Sequence, residues 1–544
     1  MLPFKVDIWR WSVLIPALLL AMPVLVVFGS VFSPDIEVWR HLRQTVLADY
    51  IVNSLVLALG TGMGTLAIGT GAAWLVSQYQ FVGRRVLQWL LLLPLAMPAY
   101  IIAYTYTGML DFAGPVQSGL RAYFGWAYGD YWFPEIRSLG GAILMLSLVL
   151  YPYVYMLARS AFREQSASML EASRTLGFSP RQHFWKVALP LARPALLTGV
   201  ALAMMEAFAD YGTVQYFGVA TFTTGIFRTW FGMGSQEGAA QLAALLSSFV
   251  LVLLVLEQWS RRKIRYFFQG QRQQISALRP LTPGRQVLVA LLCLLPVLFG
   301  FIIPAIQLAS WALPNWLTLL TADFGRLIWN SFSLAALAAI VSVMLALLFG
   351  YASRLRRDPL VRLPVRLAAL GYAIPGTVIA IGVMLPLAWL DRNIDLLAEQ
   401  WFDIRTGLLL SGTLFALLLA YSVRFLAVSL HSVEAGLERI KPSMDNAARS
   451  LGASPLQVLR RVHVPLLRGS VLTALMLVFV DVLKELPATL ILRPFNFNTL
   501  AVRTYELASD ERLADAALPA LAIVCVSIIP VILLSRTLDN SRGS

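Results

Sequence analysis

The chain contains 544 residues, of which 58% are hydrophobic and only 13% are charged. Because soluble globular proteins carry about 25% charged residues, most of this chain belongs in lipid, and the composition excludes a soluble enzyme or binding domain. The net charge of +14 does not indicate a nucleic-acid partner, since the basic residues lie in short loops between apolar runs, as membrane topology requires.

The first apolar run follows Lys5 and Arg10 and resembles a signal peptide. It is long enough to span a membrane, and no clear small-residue cleavage site follows it, so we predict an uncleaved first span. A span needs about 20 mostly apolar residues. By this criterion the sequence predicts an all-α membrane protein with about twelve spans, centred near residues 22, 63, 98, 150, 205, 248, 298, 341, 378, 418, 480 and 525.

The loops between these spans alternate in charge. Basic residues are concentrated in 84–85, 159–193, 261–285 and 354–366, whereas 391–405 carries both signs. Because an excess of Lys and Arg marks the cytoplasmic side, both termini and the basic central linker are predicted to face the cytoplasm. The chain is thus expected to be a multi-pass membrane protein.

The second half of the chain repeats the first. Gly177 and Gly452 are 275 residues apart, and Pro190 and Pro465 share that spacing. The stretches "VNSLVLAL" from residue 52 and "WNSFSLAAL" from residue 329 match at a spacing of 277. The predicted organisation is a six-span repeat over 1–257, a basic linker over 258–285, and a second six-span repeat over 286–544. Six spans leave both repeats in the same orientation, and such repeats commonly form a substrate path at their interface.

Kinks are expected in the third span of each repeat. Pro98 and Pro375 lie inside predicted spans and match at a spacing of 277 residues. Proline is a common cause of a kink in a helix, and the kinks are expected to help the spans rock.

Two related polar stretches interrupt the spans, "EASRTLGFSPRQHFWKVALP" from residue 171 and "NAARSLGASPLQVLRRVHVP" from residue 446. In the first, Gly177 suits the left-handed conformation that ends a helix, and Ser179 with Pro180 suits the start of the next helix. The second stretch repeats the pattern at Gly452, Ser454 and Pro455. Each stretch is therefore predicted to be two short helices joined by a sharp, glycine-dependent bend.

The first stretch also carries more apolar surface than a free loop needs, at Phe178, Phe184 and Trp185. An exposed apolar patch on a constrained loop predicts a docking surface, although a single copy would fit a loop that packs on its own spans equally well. Two copies at a matched spacing favour two docking sites for a two-fold partner.

These stretches resemble the "EAA" loop of permease subunits in binding-protein-dependent ABC importers, and the resemblance covers nearly the whole chain as a fused tandem permease of the type I fold. In that family the bent helix pair fits a cleft on the ATPase subunit. The implied ATPase-docking residues are Glu171, Ala172, Gly177, Ser179 and Pro180, and Asn446, Ala447, Gly452, Ser454 and Pro455. Asn446 departs from the family's Glu, with Asp445 one place earlier, so the charged contact is expected to differ between the two sites.

The chain itself has no means of using ATP. It contains no Gly-Lys dipeptide and hence no G-x-x-x-x-G-K-[ST] phosphate loop. The resemblance implies two copies of a separate cytoplasmic ATPase that use ATP with Mg²⁺, a periplasmic binding protein, and surrounding membrane lipid. It also implies that the chain lies in the bacterial inner (plasma) membrane. The chain is thus expected to be a transporter subunit, not an enzyme, and to bind no cofactor of its own.

The segments 205–231 and 481–507 resemble the ferric-iron permeases within this family. Ferric iron (Fe³⁺), delivered by an iron-binding protein, is therefore the expected substrate. Related permeases for thiamine, putrescine, sulfate or phosphonates share the architecture and remain alternatives.

Four acidic residues inside spans are candidates for the translocation path. Glu206 and Asp210 are four residues apart, which places both on one helix face, and Asp481 and Glu485 repeat this spacing. Acidic residues in spans are costly and indicate function, and their oxygens suit a hard cation. The alternative is that both pairs lie partly solvated at the outer ends of their helices, beside basic residues such as Lys484.

Other classes of function have weaker support. The loop Gly83-Arg84-Arg85 matches only the end of the signature of twelve-span secondary transporters. A membrane-embedded enzyme would need a cluster of His, Asp and Glu, or of Ser and His, inside the spans, and the sequence shows no such cluster. Cys293 and Cys525 both lie in apolar runs, which excludes a disulfide framework or thiolate metal site, and no other metal site is predicted.

Overall fold

Nearly all of the chain is helical in the computed structural model, which describes residues 8–127, 129–164, 173, 175, 177–262, 278–316, 320–356 and 358–540. In the first repeat the α-helices are α1 (Ile8–Gly29), α2 (Ile36–Thr45), α3 (Leu47–Gln78), α4 (Arg84–Leu90), α5 (Ala99–Leu110), α6 (Pro115–Phe124), α7 (Leu139–Glu164), α8 (Pro180–His183), α9 (Leu189–Ala209), α10 (Gly212–Tyr216), α11 (Phe222–Phe227) and α12 (Gln236–Arg262).

In the second repeat the α-helices are α13 (Pro283–Val297), α14 (Ile303–Ala312), α15 (Ala322–Leu355), α16 (Pro359–Ala369), α17 (Gly376–Phe402), α18 (Leu414–Glu438), α19 (Pro442–Ser450), α20 (Pro455–Val458), α21 (Val464–Leu466), α22 (Arg468–Lys484), α23 (Pro487–Leu492), α24 (Leu500–Ser509) and α25 (Leu513–Asn540). The 3-10 turns are Ser30–Phe32, Leu93–Ala96, Leu313–Asn315 and Leu370–Ala373, and the π-helical turns are Phe184–Ala188, Arg228–Gly232, Leu298–Ile302 and Leu459–His463.

The predicted spans are confirmed. Within the described residues, ten helical segments are long and apolar enough to cross a membrane, and two more pairs qualify although they bend by 92° and 77°. All twelve predicted centres lie within these segments and pairs. The first bent pair breaks beside Pro98, so the kink predicted there is present. Pro375 lies between a 3-10 turn and the start of α17, and a kink there stays a prediction. The orientation of the termini stays a prediction.

The helices divide into two packing units. The first unit comprises Leu42–Gly225, Ser248–Leu319 and Thr504–Ser544, and the second unit comprises Met1–His41, Ile226–Ser247 and Leu320–Arg503. In the first unit α3, α7 and α9 pack against one another, and in the second unit their repeat equivalents α15, α18 and α22 do the same. Each repeat therefore builds a matching three-helix core.

The packing units cut across the sequence repeats, whose boundaries stay a prediction. In the second unit, α1 of the first repeat packs on α16 and α17 of the second. This contact is close because residue 382 is glycine: a Cβ there would lie 2.3 Å from the carbonyl oxygen of Pro23. In the first unit, α14 of the second repeat packs on α25 and on α5.

The central linker returns to the first unit through a short strand pair. Tyr79–Gln80, directly after α3, pairs in parallel with Arg279–Pro280, with Tyr79 opposite Arg279. Residues 263–277 of the predicted basic linker lie outside the described residues. The described end of the linker is therefore attached to the end of α3.

The repeated Asn-Ser pair anchors the segment that follows each helix break. The side-chain amide of Asn53 donates to the carbonyl of Ala220, and Asn330 donates to the carbonyl of Asn498. The next residue accepts in turn: Ser54 accepts from the amide of Phe222, and Ser331 from that of Leu500. The motif that marked the repeat in the sequence thus has the same structural role twice.

Ser331→Ala is expected to loosen this anchor, because the buried amide of Leu500 loses its acceptor, 2.7 Å away. An unsatisfied buried amide costs about 1–3 kcal/mol, which corresponds to roughly 5- to 150-fold faster hydrogen exchange by local opening. Exchange of residues 499–502 measured by mass spectrometry tests this. Ser333→Ala is the control, since its hydroxyl bonds only within its own helix, and equal protection in both variants would contradict the assignment.

Candidate functional site

The bend predicted at Gly177 is present. Gly177 has φ +73°, and the amide of Phe178 donates to the carbonyl of Ser173 at 3.0 Å, which closes the helix end as in a Schellman motif. Ser179 then caps α8: its hydroxyl accepts from the amide of Gln182, whose side chain accepts from the amide of Ser179. Glu171 and Ala172, the first two predicted docking residues, lie outside the described residues.

The Gly452 bend repeats this geometry. Gly452 has φ +81°, and the amide of Ala453 donates to the carbonyl of Ala448 at 3.1 Å. Ser454 and Gln457 form the same capping box, with distances of 2.8 and 3.4 Å. As predicted, Pro180 begins α8 and Pro455 begins α20.

The Gly452 bend projects apolar side chains away from the protein. Leu451 is 89% exposed, and Leu456 is also exposed. The neighbouring Asn446 and Ala447 are exposed on α19. Apolar side chains held this far from other protein atoms fit a surface that a partner covers. The docking role of both bends stays a prediction.

Asp445 does not stand in for the family's glutamate at the exposed surface. Its Oδ2 lies 2.8 Å from Nε of Arg354, and its Oδ1 lies 2.7 Å from Nε2 of the buried His463. Asn446, one residue later, is exposed instead. The second bend therefore exposes the uncharged side chain of Asn446 at the position of the Glu in the EAA pattern.

Arg354 connects this bend to two spans. It projects from the end of α15, and besides Asp445 it donates to the carbonyl oxygens of Leu437 and Ile440 at the end of α18. We call Arg354, Asp445 and His463 the Arg354 clamp. One turn earlier on α15, the Tyr351 hydroxyl donates to the carbonyl of Pro455 at 2.7 Å. The sequence marked Arg354 only as one of several loop cations.

The Gly177 bend is attached differently. Trp74, which matches Tyr351 at the spacing of 277, packs its ring against Phe184 at 4.8 Å and Phe162 at 5.3 Å between ring centroids. Ser173 lies within hydrogen-bond distance, 2.8 Å, of Nδ1 of His183. Aromatic packing and the Ser173–His183 contact thus hold the first bend, whereas the second adds the Arg354–Asp445 ion pair to the contacts of Tyr351 with Pro455 and His463.

The bends also differ in how they join their spans. The helical run 181–209 continues through a π turn into α9 as one span, whereas 455–466 meets α22 at an angle of 77°. In the first repeat, a displacement of the bend would therefore reach its span along a continuous helix. In the second repeat, it would have to pass through the sharp helix break before α22.

The expected placement of Glu206 and Asp210 on one helix face is wrong. Helix α9 ends at Ala209, and Asp210 has extended backbone dihedrals. Its carboxylate accepts from the amides of Thr213 and Val214, each at 3.1 Å, and from the Thr213 hydroxyl at 3.0 Å. Asp210 therefore caps the next short helix, a role that the sequence Asp-x-x-Thr indicates but that we did not predict.

Glu485 makes the same cap in the second repeat and has a cation as well. It follows the end of α22, accepts from the amides of Ala488 and Thr489, and lies 3.0 Å from Nη1 of Arg424. Its side chain is 1% exposed. Gly376 makes room for the pair, since a Cβ there would lie 2.6 Å from Oε1 of Glu485.

The remaining members of the acidic pairs stay in helices. Glu206 lies on α9 and Asp481 on α22, half-buried, with Asp481 3.5 Å from Lys484. Lys484 is the basic neighbour that the alternative interpretation named, whereas Arg424 was missed. In the part of the chain that the structure describes, no group of three or more His, Cys, Asp or Glu side chains could hold a metal ion. The role of the four carboxylates in a translocation path stays a prediction.

Comparisons with known proteins agree with the tandem architecture. The family described as "Binding-protein-dependent transport system inner membrane component" matches twice, over residues 65–266 and 342–541. The chain is 26% identical to the Fe(3+)-transport system permease protein FbpB 2 of Haemophilus influenzae, over 90% of both chains.

Two further relatives show the breadth of this similarity. The Ferric transport system permease protein FbpB of Actinobacillus pleuropneumoniae is 24% identical over 85% of this chain and 67% of its own length. The Molybdenum transport system permease protein ModB of Haemophilus influenzae is 26% identical over 40% of this chain and 95% of its own length. Since the family matches cover most of its length, the chain belongs to the inner membrane components of binding-protein-dependent transport systems, as a multi-pass permease of a bacterial inner membrane with two fused repeats.

Proposed function

We propose that the chain is the permease subunit of an ATP-driven importer that moves ferric iron from a periplasmic binding protein to the cytoplasm. The observation that carries the importer assignment is the pair of glycine bends with matched capping and exposed apolar side chains, at Gly177 and Gly452. The similarity along 90% of an Fe(3+)-transport permease supports iron as the substrate.

Each bend would bind one copy of a separate ATPase subunit on the cytoplasmic side, and those subunits would use ATP with Mg²⁺. Closure of the ATPases would displace the bends, and the continuous helix from the Gly177 bend into α9 gives that displacement a path into a span. A push of this kind changes substrate access only if it favours one of two span arrangements, which is the proposed basis of alternating access.

A different small solute is the second candidate. The molybdenum permease matches with 40% of this chain, the length of a single repeat, so a transported oxyanion such as molybdate or sulfate is a specific alternative. Thiamine, putrescine and phosphonates belong to the same group of alternatives.

Uptake of radioactive ferric iron tests the substrate. Iron-starved cells lacking this chain and any redundant iron system are expected to regain uptake with the wild-type chain, and a 100-fold excess of molybdate, sulfate, thiamine or putrescine is expected not to compete. Uptake unchanged by the deletion would discard iron, and competition by one solute would identify the substrate instead. Loss of uptake on collapse of cellular ATP, with the membrane potential maintained, separates an ABC importer from a secondary transporter.

A further inference from the structure

We propose that Tyr100, Tyr211 and Tyr505, together with the carboxylate of Asp210, form an entry site for ferric iron inside the first unit. This inference rests on the proposed function, because it assigns ligands to the substrate named there. It also differs from the sequence-based prediction, in which the two acidic pairs supply the oxygen ligands.

The three tyrosines form one cluster. The ring centroids of Tyr211 and Tyr505 are 6.0 Å apart, and those of Tyr100 and Tyr505 are 6.5 Å apart. The side chains of Tyr505 and Tyr211 are joined by a hydrogen bond, and Asp210 is close enough to act electrostatically on Tyr505. Tyr100 and Tyr211 are 6% and 8% exposed. Tyrosine rings from three separate segments of the chain therefore pack together beside Asp210, and two of the three are buried.

Helix breaks create this place. Tyr100 lies in the first turn of α5, directly after the break at Pro98, and Tyr211 follows the break at Asp210. Broken helices in membrane proteins commonly surround substrate and ion sites, because irregular backbone is tolerated where it lines a polar space. Helix α9 leads away from the Gly177 bend, so the cluster lies at the opposite end of that span, where a binding protein would deliver its ion.

Asp210 is the carboxylate best suited to this role. Its cap bonds to Thr213 and Val214 fix its orientation, and a carboxylate that accepts three hydrogen bonds still has lone pairs for a cation. Its counterpart Glu485 is balanced by Arg424, but the residue 275 positions before Arg424 is Val149. The first repeat therefore has valine at the position of the arginine that pairs with Glu485 in the second.

The chemistry favours a hard trivalent cation. Carboxylate and phenolate oxygens are hard donors, and ligand softness governs which metal a site selects. Each tyrosine that binds replaces a water or carrier oxygen on the iron, and its own O–H bond is exchanged for an O–Fe bond. The displaced ligand and the proton leave to water, and iron remains ferric throughout. Metal binding to such ligands releases protons and depends on pH for this reason. Molybdate or sulfate, which carry negative charge, would be repelled by Asp210.

A spectroscopic measurement separates a ligand role from a packing role. The purified permease titrated with ferric citrate is expected to develop a visible phenolate-to-iron charge-transfer band. Tyr505→Phe and Tyr211→Phe retain the ring but remove the oxygen. Each is expected to weaken ferric binding by at least roughly 10-fold, because loss of even an outer-shell partner of a metal ligand costs roughly 10- to 100-fold.

The control variant is Tyr106→Phe on the same helix as Tyr100. The phenol of Tyr106 donates to the carbonyl of Phe299 at 2.7 Å, outside the cluster, so its removal is expected to leave the band unchanged. The site would be overturned if the wild-type chain showed no band. It would also be overturned if both cluster variants kept the full band, or if Tyr106→Phe lost the band equally.

Transport by the reconstituted complex distinguishes failure of the site from failure of the proposed function. With the binding protein and ATPase present, wild-type proteoliposomes are expected to take up ferric iron, and the Tyr211→Phe/Tyr505→Phe double variant to show at least about tenfold lower kcat/KM. No iron uptake by wild type would overturn the proposed function. Normal uptake by the double variant, with an active wild type, would overturn the entry site alone.

Discussion

Gly452→Val is expected to uncouple ATP hydrolysis from transport, whereas Gly452→Asn is expected to retain most coupling. Gly452 has φ +81°, and a Cβ there would meet no heavy atom within 4 Å. The requirement for glycine is therefore conformational: a residue that resists the left-handed region costs about 1–3 kcal/mol, and a β-branched one is the least tolerated, whereas asparagine enters that region readily. A cost of this size shifts the bent population by roughly 5- to 150-fold. Gly177, with φ +73° and equally open space, is expected to respond in the same way.

The measurement compares ATPase rate and substrate uptake in proteoliposomes that contain the full transporter, together with co-purification of the ATPase. Gly325→Val is the control, since Gly325 lies in α15 near the end opposite Arg354 and also has open space around it. Wild-type coupling in Gly452→Val would remove the bend from the mechanism. Equal loss of coupling in the Asn and Val variants would show that the bend requires the absence of a side chain at residue 452, rather than the left-handed backbone. Gly452→Asp adds a charge without requiring a different backbone and tests the docking surface separately.

Arg354→Met is expected to release the second bend from its spans. We expect it to lower coupled transport at least as strongly as Gly452→Val. Removing one partner of a buried ion pair costs about 3–5 kcal/mol. Because the Arg354 and Asp445 side chains retain 18% and 14% exposure, we expect the lower end, about 3 kcal/mol, or roughly 100-fold in the docked population. The carbonyls of Leu437 and Ile440 lose their donor in the same variant.

Hydrogen exchange of residues 441–458 measures this release, and uptake measures its consequence. The double variant Arg354→Met/Asp445→Leu is expected to regain part of the protection, because it leaves no unpaired charge. Arg362→Met, at an exposed position of α16, is the matched control. Unchanged exchange in Arg354→Met, or similar loss in Arg362→Met, would show that the clamp does not position the bend.

Local patterns carried most of the predictions that the structure confirms. The spans follow from runs of about 20 apolar residues, and each bend follows from a glycine with Ser-Pro two residues later. These signals succeed because the physical cause lies within a few residues of its effect. The Asn-Ser pair was recognised as a repeat, but its partners, Ala220 and Asn498, are more than 160 residues away.

The acidic residues show where local inference failed. A spacing of four predicted one helix face, but Asp210 and Glu485 end their helices and cap the next ones. The pair of Glu485 with Arg424 joins residues 61 positions apart, and that of Arg354 with Asp445 joins residues 91 apart. Neither ion pair produces a periodic pattern in the sequence, because its stabilising effect depends on a contact between residues that are far apart along the chain.

The helix α1 has a consequence for the order in which the chain can assemble. It ends at Gly29, and its packing partners α16 and α17 begin at Pro359 and Gly376. At synthesis rates of roughly 5–20 residues per second, α1 waits roughly 15–65 s for α16. During that interval it has only lipid, or another membrane protein, along the face that will later meet Gly382. A chain that ended in the central linker would leave α1 without α16 and α17. Because both repeats are joined in one chain, α1 and these partners enter the bilayer in a one-to-one ratio and close to each other.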